Sequence, residues 1–378
     1  MVNQCLGIGL AQNASSLKRL SVLCYRELKG YRCLSYYKLC AISRAAGILA
    51  ARKKSLSRGI RSKNPYSIKP QLISCYGFKV NHASLCIPLG DRKYRSISLN
   101  KHTLSTLSVP TVMVRSFTLG IHKLSLCISK EVSEVVCTAT VGVDRNLRRL
   151  TCGDSDKVVH YDLSKAVAIA DATRDIIASF KRADARIIRK IASKYGSRRR
   201  NRTFQLLHHT TKRLVDDAFK NRRAIVLEDI RGVRHLYRKG NLQSRSFRAR
   251  MNSWSFGEAK RQIEYKSRWI GLPIINLTRR ETMGTSVTCP RCGERLQSDR
   301  NHMRELWCRK CENWMDRDVV AAVNISSRGR LRFDRSKGGA VEAVMGNPTP
   351  TVIPGVDAPK LASPPKLAEP KVFMGFMD

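Results

Sequence analysis

Acidic residues are scarce in this chain: 29 Asp and Glu stand against 71 Lys and Arg over 378 residues, a formal charge of +42. Such a field draws polyanions, with an affinity that weakens as salt rises. Long apolar runs are lacking as well. No uncharged stretch reaches membrane-spanning length, which excludes a transmembrane helix. There is no lipidation signal and no long basic amphipathic anchor, so nucleic acid rather than an anionic membrane is the expected polyanion. Met1–Ala14 is mildly apolar but has neither a basic leader nor a compact apolar centre, and is not read as a signal peptide. Paired cysteines are few. Nine of the thirteen (Cys5, Cys24, Cys33, Cys40, Cys75, Cys86, Cys127, Cys137 and Cys152) stand singly among apolar residues. An odd total without a secretory signal predicts free thiols in a reducing compartment.

The remaining four cysteines form two Cys-x-x-Cys pairs, Cys289/Cys292 and Cys308/Cys311, separated by fifteen residues. That spacing suits two short knuckles closed around one tetrahedral Zn²⁺. Just beyond them Asp316 and Asp318 open an Ala-rich helical stretch.

Hydropathy patterning divides the rest. Tyr37–Lys54 reads as an amphipathic helix, followed by a basic linker through Arg58, Arg61 and Lys63. From Asn64 to about Val132, short alternating segments between Gly, Pro and Asp turns predict a small antiparallel β domain. An α/β block follows. Val135–Val143 is a strand ending at Asp144, and Leu150–Cys152 with Val158–Tyr161 forms a hairpin. Ser164–Lys194 is a long helical stretch, broken by the basic run Ser197–Arg202 before a second helix. Ala224–Leu227 is a short buried strand ending at Glu228, Arg231–Arg250 a loop, Ser255–Ile270 a helix and Pro273–Leu277 a strand. The tail from Gly346 carries seven prolines and reads as disordered.

Asp144 and Glu228 each follow an apolar strand in a chain poor in acids, where an unpaired carboxylate is costly. With Asp318 from a helix start they can converge, and hard oxygen ligands of this kind hold Mg²⁺. Two such ions support phosphodiester hydrolysis. Each acid alone also suits a surface position or, for Asp318, a helix start.

The motifs V-G-V-D-R-N-L-R-R-L-T (141–151), I-V-L-E-D-I (225–230), N-S-W-S-F-G-E-A-K-R-Q-I-E-Y-K (252–266), T-S-V-T-C-P-R-C-G (285–293) and C-R-K-C-E-N-W-M-D-R-D-V-V-A-A-V-N-I (308–325) occur in this order. Together they resemble the TnpB/OrfB family of transposon-encoded RNA-guided nucleases, relatives of the type V CRISPR effectors, over roughly residues 64–330. The resemblance implies a multidomain α+β protein: a helical recognition-like segment at 1–62, a β-rich wedge-like domain at 63–134, and an RNase H-like (RuvC) α/β nuclease domain at 135–284. A zinc ribbon that binds target nucleic acid is inserted at 285–314, the last nuclease helix lies at 315–335, and a disordered Pro-rich tail at 336–378. It implies Asp144, Glu228 and Asp318 as the catalytic, Mg²⁺-binding acids, with Asp316 secondary, and Cys289, Cys292, Cys308 and Cys311 as the Zn²⁺ ligands. The partners implied are a guide RNA from the transposon end and target double-stranded DNA, in a prokaryotic, nucleoid-associated cytoplasmic setting. Base pairing would choose the sequence while protein contacts follow shape and backbone. Arg198, Arg199, Arg200 and Arg202 are candidate backbone contacts, or else a solvated helix break.

Three departures stand out. Asn146 occupies a usual Gly position, Val320 a usual Asn position, and the family's opening Tyr-Lys-Phe-Arg-Leu-like strand is not visible. Guide-dependent DNA binding with little or no cleavage therefore stands beside cleavage as the alternative activity.

Overall fold

Helix-forming and strand-forming stretches segregate along the chain into two compact units, one containing Met1–Ser129 and the other Lys130–Val344. The computed structural model describes residues 1–345 apart from 82, 181–184, 231–235, 238, 239, 241, 242, 300, 301, 303 and 334–340.

The first unit opens with α1 (Val2–Ala11), α2 (Leu17–Cys24) and α3 (Ser35–Leu56). Leu6, Leu20, Ile42 and Leu49 close a core in which the single cysteines Cys5 and Cys24 act as small apolar side chains. The chain then turns to β1 (Gln71–Ser74), β2 (Lys79–Val80), β3 (Ser84–Gly90), β4 (Lys93–Ser98), α4 (Lys101–Leu107), β5 (Val112–Gly120) and β6 (Leu124–Val132). β2, β3 and β4 form one antiparallel sheet, while β1 pairs antiparallel with β5 and β6 lies beside β5. Asp91 and Arg92 take left-handed φ values of 48° and 58°, which turns β3 into β4. Helix α4 departs from the all-strand expectation for this region. Asn100 caps it by accepting a 2.8 Å hydrogen bond from the Thr103 backbone N–H, a local stabilisation that strand alternation does not register.

The second unit contains β7 (Ala139–Arg145), β8 (Arg149–Gly153), β9 (Val158–Asp162), α5 (Ser164–Ser179), α6 (Ala185–Lys220), β10 (Arg223–Leu227), α7 (Arg245–Ser253), α8 (Phe256–Trp269), β11 (Ile274–Asn276) and α9 (Arg279–Thr282). Then come β12 (Gln297–Ser298), β13 (Glu305–Cys308), β14 (Asn313–Asp316), α10 (Arg317–Phe333) and β15 (Val341–Met345). Five strands form a mixed sheet in the order β11-β10-β7-β8-β9. β7, β8 and β9 are antiparallel neighbours, whereas β10 runs parallel to both β7 and β11. Leu207, Leu214 and Val215 of α6 and Ala259 and Ile263 of α8 bury against this sheet with Val143, Leu150 and Ile225.

Three expectations need correction. The break predicted at Ser197–Arg202 does not occur: α6 runs unbroken from Ala185 to Lys220. Arginine is a good helix former, and the run contains no proline to stop the helix. Part of the loop expected at Arg231–Arg250 is instead the start of α7, capped where the Ser244 hydroxyl accepts from Phe247 N at 3.2 Å. Within the tail expected to be disordered from 336, Val341–Met345 is a strand, in keeping with its two β-branched valines; the prolines of that tail lie outside the described residues.

On the sheet, α10 approaches β7 and β10 unusually closely because a glycine stands at each contact: Gly142 of β7 lies against the α10 backbone, and Gly329 of α10 lies against the Val226 side chain of β10. A methyl at Gly142 would overlap the Ala322 carbonyl and the Ser326 amide, and one at Gly329 would overlap Val226. Thr140 and Ser326 lock the contact, with the Thr140 hydroxyl 2.9 Å from the Ser326 hydroxyl and the latter donating to Thr140 O at 2.9 Å. No helix among the described residues is long and apolar enough to cross a membrane.

Candidate acidic cleft and cysteine ribbon

β7 and β10 are parallel neighbours, so their C-terminal ends open on the same edge of the sheet. Val143 pairs with Leu227, and one residue further along Asp144 and Glu228 stand side by side. The close seating of α10 brings its second residue, Asp318, to that edge. Asp144, Glu228 and Asp318 line a single cleft of about 650 Å³, together with Arg149, Arg304 and Arg317. Three acids from positions 144, 228 and 318 of the chain are thus gathered in one place.

Each carboxylate has distinct partners. Asn146, in the usual Gly position, donates its side-chain N–H to Asp144 Oδ2 at 2.6 Å. Glu228 is buried and gripped by Arg145, whose backbone N–H lies 3.2 Å from Oε1 and whose Nη2 donates to the Glu228 carbonyl at 2.8 Å. Arg145 also donates to Phe256 O at 3.3 Å, which fixes its guanidinium between strand end and helix α8. Asp316 caps α10: its Oδ1 accepts from the backbone N–H of Asp318 at 2.7 Å and of Val319 at 3.2 Å. Arg149 joins this pair of aspartates, with Nη2 2.7 Å from an oxygen of each. Arg304, from the turn before β13, reaches the same Asp318 oxygen at 2.6 Å.

Burial and like charge act on the acids together. Burial first, then the charges of Glu228 and Asp318, hold the Asp144 carboxyl well above the usual range, against the pull of Asn146. Burial also raises Glu228, opposed by Arg145. For Asp316, burial is the largest single influence and acts upward, but Arg149 and the two capping N–H groups outweigh it and bring the carboxyl below its ordinary value. A cleft in which buried carboxylates repel one another fits a hard divalent cation. Among the described residues, however, only the cysteines bring three or more ligand atoms within 4.8 Å of one another. The acids share the cleft without closing to that distance, and Asp318 is engaged by the two arginines.

The cysteines form the second centre. Cys289, Cys292, Cys308 and Cys311 all place their sulfurs within 4.8 Å of each other, with Cys289–Cys311 at 3.8 Å and Cys292–Cys308 at 3.4 Å. Zn–S bonds of ~2.3 Å in a tetrahedron put sulfurs ~3.8 Å apart, so this donor set fits zinc. Gly293, at φ 78°, turns the first knuckle and donates to Cys289 O at 3.0 Å. Strands β12, β13 and β14 complete the ribbon as an antiparallel sheet. Val320 is 1% exposed and packs into the ribbon core with Leu296, Leu306 and Cys308. It therefore serves the ribbon rather than the acids. Asn324 donates to the carbonyls of Thr285 at 2.8 Å and Thr288 at 2.7 Å, tying α10 to the chain entering the first knuckle.

The arginines expected to contact nucleic acid lie elsewhere on α6. Arg199 and Arg200 line a separate cavity of about 370 Å³ with Thr203, Arg250 and Trp254. Arg198 lies 5.6 Å from the Tyr195 ring centre, and Arg202 is exposed. Sequence reading missed Arg145, Arg149 and Arg304. Arg145 carried a usable signal, since it directly follows an acid at the end of an apolar strand, where a buried charge requires a partner; in a chain so rich in arginine the other two carried none.

Residues 256–325, from α8 through the ribbon into α10, match the family model described as Cas12f1-like, TNB domain. A TnpB-like protein of Methanocaldococcus jannaschii is 34% identical over 145 residues, which is 38% of this chain and 49% of that protein. A second TnpB-like protein of the same archaeon is 30% identical over 234 residues, 57% of this chain and 51% of the other. These matches support a TnpB/OrfB-family protein related to the type V effectors. It spans about half the length of these two relatives. The fold of this chain is shared with the protein of a Cas12f1–sgRNA–target DNA complex solved by cryo-EM, at a TM-score of 0.60 and 15% identity, over 86% of this chain and 79% of the other.

Proposed function

We propose that the chain is an RNA-guided DNA endonuclease of an insertion-sequence transposon, hydrolysing target phosphodiester bonds at one RuvC-like site. The observation that carries this reading is the gathering of Asp144, Glu228 and Asp318 in one cleft, with burial and mutual charge raising Asp144. The sheet supports an RNase H-like fold: numbered within itself, its order is 3-2-1-4-5, with the first three strands antiparallel and the fourth and fifth parallel to the first. Asp144, Glu228 and Asp318 are the residues that would hold Mg²⁺. Bound there, the metal would supply activated water and charge stabilisation on the leaving oxygen. Arg145 orients Glu228, Asn146 orients Asp144, and Asp316 fixes the helix end that carries Asp318.

The charge of +42 suits a channel for guide RNA and target DNA, and the Cas12f1 complex of shared fold holds an sgRNA and a target DNA. Within this reading the segments 1–62 and 63–134 are the recognition-like and wedge-like parts, the cysteine ribbon takes Zn²⁺ and positions target nucleic acid, and the setting is a prokaryotic nucleoid. The second reading, guided binding with weak or no cleavage, is favoured by the engagement of Asp318 by Arg149 and Arg304.

The test is purification with co-purifying RNA, sequencing of that RNA, and incubation with matching duplex DNA and Mg²⁺. Cleavage by the native protein and none by Asp144→Ala is expected. Guided binding without cleavage selects the second reading, and cleavage unchanged in Asp144→Ala rejects the assigned site.

A further inference from the structure

The cysteine ribbon presents two unlike faces. On the inner face Leu306 and Met315 are paired across β13 and β14 and pack toward Cys289, Cys308 and Val320. On the other face Trp307 and Trp314 are paired, with ring centres 5.3 Å apart. His302 continues the row, 4.6 Å from Trp314 and tilted 35° to it. Trp314 is 37% exposed and the His302 side chain 48% exposed. Two of the four tryptophans of the chain thus lie on the outer face of a ribbon whose core is already complete behind them.

The row runs across β13 and β14, and β14 also carries one of the acids. Alternate residues of a strand share a face, so Trp314 lies on the same side as Asp316, which Arg149 links to Asp318. Arg304, in the turn before β13, reaches Asp318 from the same ribbon, and Arg309 and Lys310 are exposed at its second knuckle. A polyanion with exposed aromatic faces satisfies both features, and unpaired nucleic-acid bases have such faces. In a duplex the bases are already stacked on one another.

We propose that the His302–Trp314–Trp307 row is a base-stacking platform for single-stranded nucleic acid, whose backbone continues toward the Asp144–Glu228–Asp318 cleft. The direction of the backbone rests on the nuclease reading; the stacking itself does not. Stacking on aromatic side chains tolerates any base, which suits a protein whose sequence choice comes from a guide.

The test uses the full chain, in EDTA mild enough to leave its zinc content unchanged, and a labelled twelve-nucleotide single strand read by fluorescence anisotropy. Trp314→Ala should weaken binding on the order of 10-fold, and Trp314→Phe should restore most of it. A strand of the same length with abasic central positions keeps its phosphates but offers no rings. It should bind the native protein on the order of 10-fold more weakly and show no further loss with Trp314→Ala. DNA and RNA strands run in parallel identify which nucleic acid occupies the platform. An unchanged affinity in Trp314→Ala, or an equal loss on ordinary and abasic strands, overturns the proposal. The abasic comparison on the native protein decides the matter even if a variant loses its zinc. None of these outcomes bears on cleavage at Asp144, so the platform and the nuclease reading fail separately.

Discussion

Gly142→Ala sets two effects of opposite sign against each other. A glycine inside a strand is ordinarily a weakness, and replacing it with alanine should gain ~0.5–1 kcal/mol from the unfolded chain. At Gly142 the new methyl would meet the Ala322 carbonyl and the Ser326 amide, backbone atoms that cannot rotate aside. Helix α10 must lift from the sheet. Overpacking of this kind costs ~1–3 kcal/mol, and the Thr140–Ser326 hydrogen bonds would contribute ~1 kcal/mol each if broken. The net expectation is a loss of about 3 kcal/mol, or a fall in Tm of roughly 6–12 °C for a unit of this size. Thermal unfolding followed by circular dichroism on the zinc-loaded full chain measures it. Gly257→Ala is the control: a methyl added at this position of α8 would have nothing within 4 Å, so that change should be neutral or stabilising by up to ~1 kcal/mol. A Tm for Gly142→Ala equal to or above that of the native protein would refute the close seating of α10, and with it the account of how Asp318 reaches the sheet edge.

Zinc analysis of the native protein should find one ion per chain, and Cys289→Ser with Cys308→Ser should remove it; retention of zinc by the double variant would refute the four-sulfur site. Arg149→Gln should free Asp316 and leave Arg304 as the remaining arginine on Asp318, so that the Mg²⁺ concentration giving half of the thermal stabilisation falls about threefold to fivefold. A higher Mg²⁺ requirement would show that Arg149 instead assists the metal site. Lys266 donates to His208 O at 2.6 Å and to the Thr211 hydroxyl at 2.8 Å, and burial brings its pKa down to about 8. The unfolded chain keeps this proton up to about pH 10.4, so between those values it binds more protons than the folded chain, and stability should rise with pH across that window. Denaturant unfolding at pH 7.5, 8.5 and 9.5 reads the trend. Lys266→Met should flatten it, and an equally steep rise in that variant would assign the effect to another group.

What the sequence revealed depended on how local each cause was. The cysteine spacing and the acids at the ends of apolar strands are local patterns, and the structure gathers each set. The continuity of α6 through Ser197–Arg202 was missed because a dense run of arginines was read as a solvated break, when arginine favours helix and nothing there stops it. The contacts of Arg149 with Asp316 and Asp318 span 167 and 169 residues. Such partnerships follow from the sheet order and the return of α10, and no sequence period announces them. Val320 shows the same limit from the other side: judged by its neighbours it stands beside an acid, but its surroundings are those of the ribbon core.

That location changes the meaning of the ribbon for the acidic cleft. Asp318 is the second residue of α10, Val320 two residues later lies in the apolar cluster behind the cysteines, and Asn324 one turn further holds the Thr285 and Thr288 carbonyls that lead into Cys289. Asp316 ends the last ribbon strand and caps the same helix. The first three turns of α10 are thus fixed on one side by the sheet, through Gly142 and Ser326, and on the other by the ribbon. An amide at 320 would place a polar group among Leu296, Leu306 and Cys308, where an unpaired hydrogen-bonding group is costly. Valine there strengthens the seat that sets the direction of Asp318. A metal held by the four sulfurs would also order the chain that Asn324 grips. Zinc bound there would act on the acidic cleft without touching it, by steadying the ribbon against which the start of α10 is packed.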